Sequence, residues 1–197
     1  MKRVPVIATV VVAAAVAAML ALGFWQLSRA HWKEQLLAQY EAAPKLPPIA
    51  FPTAPLKGEL PLFRWATGFC VKPVGQRAIA GENRSGEPGY AHIVQCSTGA
   101  EGPGMAVDVG WSKDPQAKWS WAGGPVTGMI APDRLQRIRL VAATSPAGLQ
   151  PSAVPTVQTV VQTTPAGHRL YAIQWFAFAA IALIIFVLAL RKRLRAE

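Results

Sequence analysis

Acidic residues are scarce in this chain: ten Asp and Glu stand against twenty Lys and Arg, leaving a formal charge of +10. Histidine is down to three residues and cysteine to two. With so few candidate nucleophiles and ligands, and with no glycine-rich phosphate loop or clustered metal motif, the chain reads as a protein that is not an enzyme. The basic excess does not point to nucleic acid either. Six of the basic residues, Lys2, Arg3, Arg191, Lys192, Arg193 and Arg195, flank the two ends, and the rest are scattered. Anionic lipid headgroups account for such flanks more simply, at about 1 kcal/mol per basic side chain near the surface. At 197 residues the chain has no room for a second soluble domain beside its terminal segments.

Long apolar runs are what the chain has instead. Val4 to Leu22 and Leu170 to Leu190 contain no charged residue. At 19 and 21 residues, either is about as long as the roughly 20 residues that a helix needs to cross a bilayer core. A cleavable signal peptide is the rival reading of the first run. That run is longer than the roughly 7 to 15 residues of a signal core, however, and Trp25 closes it as an interfacial anchor. The basic flanks place both termini in the cytoplasm and the connecting segment outside, in the periplasm of a bacterial inner membrane. The expected architecture is a membrane α+β protein in which two transmembrane helices flank one mainly antiparallel β domain. Its parts are a first span in residues 1–28, the outer domain with a helical lead in 29–165, a second span in 166–190 and a basic tail in 191–197.

Between the spans, helical spacing continues through Trp32, Leu36 and Tyr40 to about Ala43, where Pro44, Pro47, Pro48, Pro52 and Pro55 replace it with an extended connector. Two-residue alternation then recurs between Gly and Pro turns. Strands are expected near Phe69 to Lys72, Arg77 to Ala80, Ala91 to Cys96, Met105 to Trp111, Gly124 to Ile130 and Arg137 to Val141. In the fourth of these, Met105, Val107, Val109 and Trp111 are expected on one face. Gly81 to Gly89 is expected as a long flexible hairpin loop, and Lys113 to Gly124 as a second loop in which Trp119 and Trp121 serve packing.

Cys70 and Cys96 both fall in the outer domain. An oxidising compartment favours a disulfide, with a copper site and two buried free thiols as the alternatives. His31 and His92 read as ordinary solvated or packed histidines. His168 stands at the entrance of the second span, where His168, Ala172, Trp175 and Ala179 form one helical stripe. An imidazole there, beside small alanines and a stacking tryptophan, suits an axial ligand of a haem iron, and Arg29 or Arg169 suits the propionates.

Four blocks resemble one known family in their order. Gly23-Phe24-Trp25-Gln26-Leu27-Ser28-Arg29-Ala30-His31-Trp32-Lys33 follows the first run, and Asn83-Arg84 with Pro88-Gly89-Tyr90 lies mid-chain. Val107-Asp108-Val109-Gly110-Trp111 comes next, and Gly167-His168-Arg169-Leu170-Tyr171-Ala172-Ile173-Gln174-Trp175-Phe176 ends the series. Together they are similar to the surfeit-locus family of cytochrome c oxidase assembly factors. The resemblance implies an assembly factor acting where haem a reaches the oxidase catalytic subunit, with that subunit and haem A synthase as partners. It also implies haem a binding at His168, since the matching histidine of bacterial members is implicated in it. Two departures stand out: Gly167 replaces the family's usual Asn, and Val109 its usual Arg. The alternative function is a cofactor-free membrane scaffold that recruits oxidase subunits.

Overall fold

In a computed structural model, which describes residues 5–52, 58–99, 104–157 and 164–196, two long helices bracket one sheet. Lys2, Arg3 and Pro55, which entered the orientation and connector readings, lie outside the described residues. The element order is α1 (Val6–Ala42), a 3-10 turn (Ala43–Lys45), β1 (Ile49–Ala50), β2 (Trp65–Cys70), β3 (Lys72–Glu82), β4 (Pro88–Ser97), β5 (Met105–Ser112), β6 (Gly124–Asp133), β7 (Arg137–Ala142) and α2 (Pro165–Ala196). The chain forms two compact units, one holding residues 38–160 and the other the helical segments on either side.

Both helices follow from local chemistry. Pro44 stops α1 and opens the 3-10 turn, since proline lacks the N–H that a continued helix needs. At α2, Pro165 takes the first helical position, and the Thr164 hydroxyl accepts the Gly167 N–H at 3.2 Å, a helix-start pairing of proline and cap. Arg193 and Arg195 then sit in its last turn, where the helix dipole favours cations. The most apolar stretch of each helix is only 6% buried within the chain. Val10, Val11, Ile181, Ile184 and Ile185 are among the exposed side chains. Helices of this length that are apolar all round are stable in lipid rather than in water, which marks a membrane protein.

In the sheet unit seven strands run in the order β1-β2-β6-β7-β5-β4-β3. Most pairs are antiparallel, and β1–β2 and β5–β7 are parallel. β2 and β3 lie toward opposite ends of this order, yet only Val71 separates them in the chain. The sheet therefore coils on itself, and the strand expected as Phe69 to Lys72 is broken at Val71 into the end of one strand and the start of another. The corner is pinned twice. The Val71 N–H donates to the Ser97 carbonyl at 2.9 Å, and Cys70 and Cys96 form a disulfide that joins the end of β2 to β4. Closing a loop with a separation of 26 residues stabilises the folded state by about 3 kcal/mol in the chain-entropy picture. With the two sulfurs bonded to each other, neither is a thiolate for copper.

One face of the sheet carries the main core. Cys96, Val94, Met105, Val107, Val109, Ile130 and Leu140 pack there with Phe63 and Ala66. The face assignment of β5 changes part-way. Ile93 pairs with Asp108 and His92 with Gly110, so Val109 is an extra residue that turns the following side chains over. Trp111 consequently leaves the face of Met105, Val107 and Val109 on which alternation would put it. It reaches Gly81 instead, donating its indole N–H to that carbonyl at 3.2 Å. Gly89 makes room for the ring, since a Cβ there would lie 2.5 Å from it.

The hairpin loop is also tighter than the sequence suggests, because pairing continues to Glu82 and Pro88. Buried Asn83 closes it. Its carbonyl accepts the N–H groups of Ser85 and Glu87, and its amide donates to Glu87 and to Gln150. Composition alone shows the glycines of such a loop but not the side chain that ties them. His92, by contrast, is packed as expected. The Ser112 hydroxyl donates to the Asp114 carbonyl at 2.6 Å, so its oxygen accepts from His92 Nε2–H at 2.7 Å, and Trp119 meets the imidazole edge to face. Burial lowers the His92 pKa, with Asp114 acting the other way.

The second face holds a charged cluster instead of a large apolar one. Asp108, 2% exposed, accepts from the Ser152 hydroxyl at 2.6 Å and from the Gly110 N–H at 3.2 Å, with Arg139 Nε 3.9 Å away. Asp133 accepts from Arg77 and from the N–H groups of Leu135 and Gln136. Burial works to raise the Asp133 pKa, but these hydrogen bonds and the Arg77 charge outweigh it and leave the pKa lowered. Asp108 goes the opposite way: desolvation outweighs Ser152, Arg139 and Gly110, and its pKa is pushed up to about 6.

A carboxyl whose folded value lies above its ordinary one costs nothing while both states are protonated and costs progressively more as pH rises through the folded value. Asp108→Asn is therefore expected to leave stability unchanged below about pH 4 and to raise it above about pH 6, by up to about 3 kcal/mol. Urea unfolding of the sheet unit in the full chain, followed across pH, checks this. Parallel pH profiles for the two proteins would show that Asp108 is not the source of the slope.

Candidate functional site

Among the described residues, the helical unit is where the expected site residues His168 and Arg169 meet polar groups of the other helix. Its seam is built from small residues two turns apart. Gly23 and Ala30 are buried on α1, and Ala172 and Ala179 on α2. Small side chains let helices approach closely where lipid surrounds them and no hydrophobic gain separates helix from tail. Gly23 is the tightest point. A Cβ on it would lie 2.4 Å from the Phe176 ring, and the neighbouring Phe24 meets Phe176 edge to face with centroids 5.3 Å apart. Between Gly23 and Glu34 on α1 the partner on α2 falls back from Phe176 to Arg169, so this stretch is antiparallel. Gln26 meets His168, and Glu34 accepts from Arg169.

His168 is the chemically distinctive member. Its Nδ1 lies 2.6 Å from the side-chain oxygen of Gln26, an acceptor, so Nδ1 carries the proton and donates. Nε2 is buried and has no hydrogen-bond partner. A buried nitrogen with a free lone pair is uncommon, because an unmet polar atom typically costs about 1 to 3 kcal/mol. It is also the form in which an imidazole binds a metal.

The remaining expected residues have definite partners. The Arg29 guanidinium lies over the Trp32 ring, 4.0 Å from its centroid. Arg169 is ion-paired with Glu34. Trp175 sits two turns beyond His168, and its ring meets Phe178 edge to face, 6.3 Å between centroids. Arg29 and Lys33 are close enough to act electrostatically on His168, a positive setting that suits carboxylates. Ala172 and Ala179, which the helical stripe offers as open space for a flat ligand, are taken up in the packed seam, at 1% and 4% exposure. The donor chemistry thus fits a haem iron at His168 Nε2, whereas reaching that nitrogen requires side chains of the seam to move.

Gln26 and Glu34 are seam residues that are not among the sequence-predicted site residues. Gln26 follows Trp25 just past the first apolar run, and an amide at that place is itself a signal for a partner on another helix. His31, the remaining histidine, is solvent-facing, with its ring nitrogen 3.2 Å from Gln35 one turn on. Among the described residues no group of three or more His, Cys, Asp or Glu is gathered to hold a metal ion.

Gly23→Val tests the seam. The valine methyls collide with Phe176, and the helix pair is expected to lose about 1 to 3 kcal/mol, measured by denaturant titration in lipid discs. In the Phe176→Ala background the same substitution should cost little, and equal costs in both backgrounds would place Phe176 elsewhere.

No curated protein matches the chain at a significant level. A family model described as SURF1 family matches residues 13–180, from within α1 to within α2 and across the whole sheet. This span takes in all four blocks that carry the resemblance, together with Gly23, Gln26, His168 and Phe176 of the seam. The chain belongs to the SURF1 family, which is linked to cytochrome c oxidase assembly.

Proposed function

We propose that the chain is a cytochrome c oxidase assembly factor that binds haem a at the helix seam and hands it to the oxidase catalytic subunit, with haem A synthase as donor. The observation that carries this reading is the buried, unpartnered Nε2 of His168, whose ring is held by Gln26. In this role Nε2 would hold the haem iron. Arg29 and Lys33 would supply the positive field for the propionates, with Arg169, paired with Glu34, adding to it. Haem a, when bound, supplies a redox-active iron and a macrocycle to be delivered, and the chain's own residues bind and orient it. Trp175 offers an indole on the same helical face for stacking.

The proposed setting is a bacterial inner membrane, with the sheet unit in the periplasm and both termini inside. It is supported by the basic run Arg191 to Arg195 after the second apolar stretch and by the Cys70–Cys96 disulfide, which needs an oxidising compartment.

A second reading rests on Ala172 and Ala179, which fill the seam with helix packing. It makes the chain a cofactor-free scaffold that recruits oxidase subunits. One preparation separates the two. Protein purified in mild detergent from cells that make haem a should show haem absorbance in the wild type and lose it in His168→Ala. An unchanged spectrum in the variant removes His168 from the site, and a wild type without haem that still restores oxidase to a deletion strain favours the scaffold.

A further inference from the structure

We propose that Gln26 is the positioning residue of the seam: it holds the proton of His168 on Nδ1 and thereby presents the lone pair of Nε2 as the donor. The proposal rests on the reading that a haem iron takes that nitrogen, but its first consequence belongs to the protein without haem. Histidine free in water slightly favours the opposite form, with the proton on Nε2, so something must reverse the preference.

The local geometry does so. Were Nε2 protonated, its N–H would be buried with no acceptor, since the described surroundings give that atom no partner. Nδ1 would at the same time face the Gln26 oxygen across 2.6 Å, lone pair against lone pair, until the amide turned over to offer its NH2. The buried, unmet N–H alone typically weighs about 1 to 3 kcal/mol, more than enough to reverse a slight intrinsic preference. The arrangement is the one by which outer-shell acceptors orient metal-binding histidines: the acceptor on the far nitrogen fixes the tautomer and makes the near nitrogen more basic. The two residues come from different helices, 142 positions apart, so the donor is assembled only when α1 and α2 pair. Gly23, one turn before Gln26 and closed against Phe176, sets that approach.

The test uses the full chain in lipid discs, without haem, labelled with nitrogen-15 in histidine, and with the His168 signals assigned by their loss in His168→Ala. The wild type is expected to show Nδ1 protonated and Nε2 bare. Gln26→Leu should return His168 toward the Nε2–H form, and Gln26→Glu, which keeps an acceptor in place, should preserve the wild-type pattern. In haem-loaded protein, Gln26→Leu should weaken haem retention about 10- to 100-fold and raise the haem midpoint potential, as a less electron-rich imidazole favours reduced iron, while Gln26→Glu should shift neither upward. A wild type with the proton on Nε2, or Gln26→Leu indistinguishable from wild type, overturns the proposal. Should Gln26→Leu fail to fold, the wild-type and Gln26→Glu spectra still decide it. If the tautomer is as stated and the wild type takes up no haem, the reading of function falls while the role of Gln26 in setting the imidazole stands.

Discussion

The constraint on which the helical unit depends is the absence of competing water around its apolar spans. Inside lipid a polar side chain must find its partner on the neighbouring helix or remain unmet. Gln26 and His168 answer that demand at the edge of the spans, with the exposed pair of Glu34 and Arg169 just beyond it, and the small residues Gly23, Ala30, Ala172 and Ala179 bring the helices near enough for them to do so. The buried nitrogen of these pairs that is left without a partner, His168 Nε2, is the one that faces the chemistry proposed for the chain.

The sheet unit solves a different problem, that of holding a strongly coiled sheet with a thin second core. Its main face is apolar and conventional. On the other face Ala91, Ile93 and Ala106 form only a small cluster, and buried Asp108 and Asp133 with partly exposed Arg77 and Arg139 occupy much of the remainder. Ser152 and Gln150 lie across this face. Gln150 accepts the Trp111 N–H, Ser152 binds Asp108, and the following Ala153 donates to Glu82. The family motif residues Asn83, Asp108, Gly110 and Trp111 all belong to this strap and its anchors, which gives those blocks a structural reason rather than a catalytic one. With Val109 where the family usually has arginine, the side chain at that position joins the main core.

Much of this architecture is legible in the residues themselves. Uninterrupted apolar runs, a proline stop at Pro44 and period-two alternation yield two long helices and the strands β3 to β7, because those signals are local. What escapes is non-local. The two-residue β1 carries no pattern of its own and exists through pairing with Ala66 and Thr67. The break at Val71 arises from closure of the sheet, and the reversal of Trp111 from one extra residue in β5, and neither leaves a trace in composition. At the site, His168 stands out because an imidazole is rare at the edge of an apolar run, and the four ordered blocks single it out further. Gln26 does not stand out in the same way, since its importance lies in an interhelical distance.

The account therefore turns on two helices that lie in lipid and meet along one seam. Nitroxide labels at Val11→Cys and Ile184→Cys, both outward-facing on the helices, read this directly in lipid discs by collision with oxygen and with a water-soluble nickel chelate. Both sites are expected to be open to oxygen and closed to the chelate, unlike a label at Leu135→Cys, which is 75% exposed on the sheet unit. Chelate access at Val11 or Ile184 equal to that at Leu135 would place the helices in water and contradict the account.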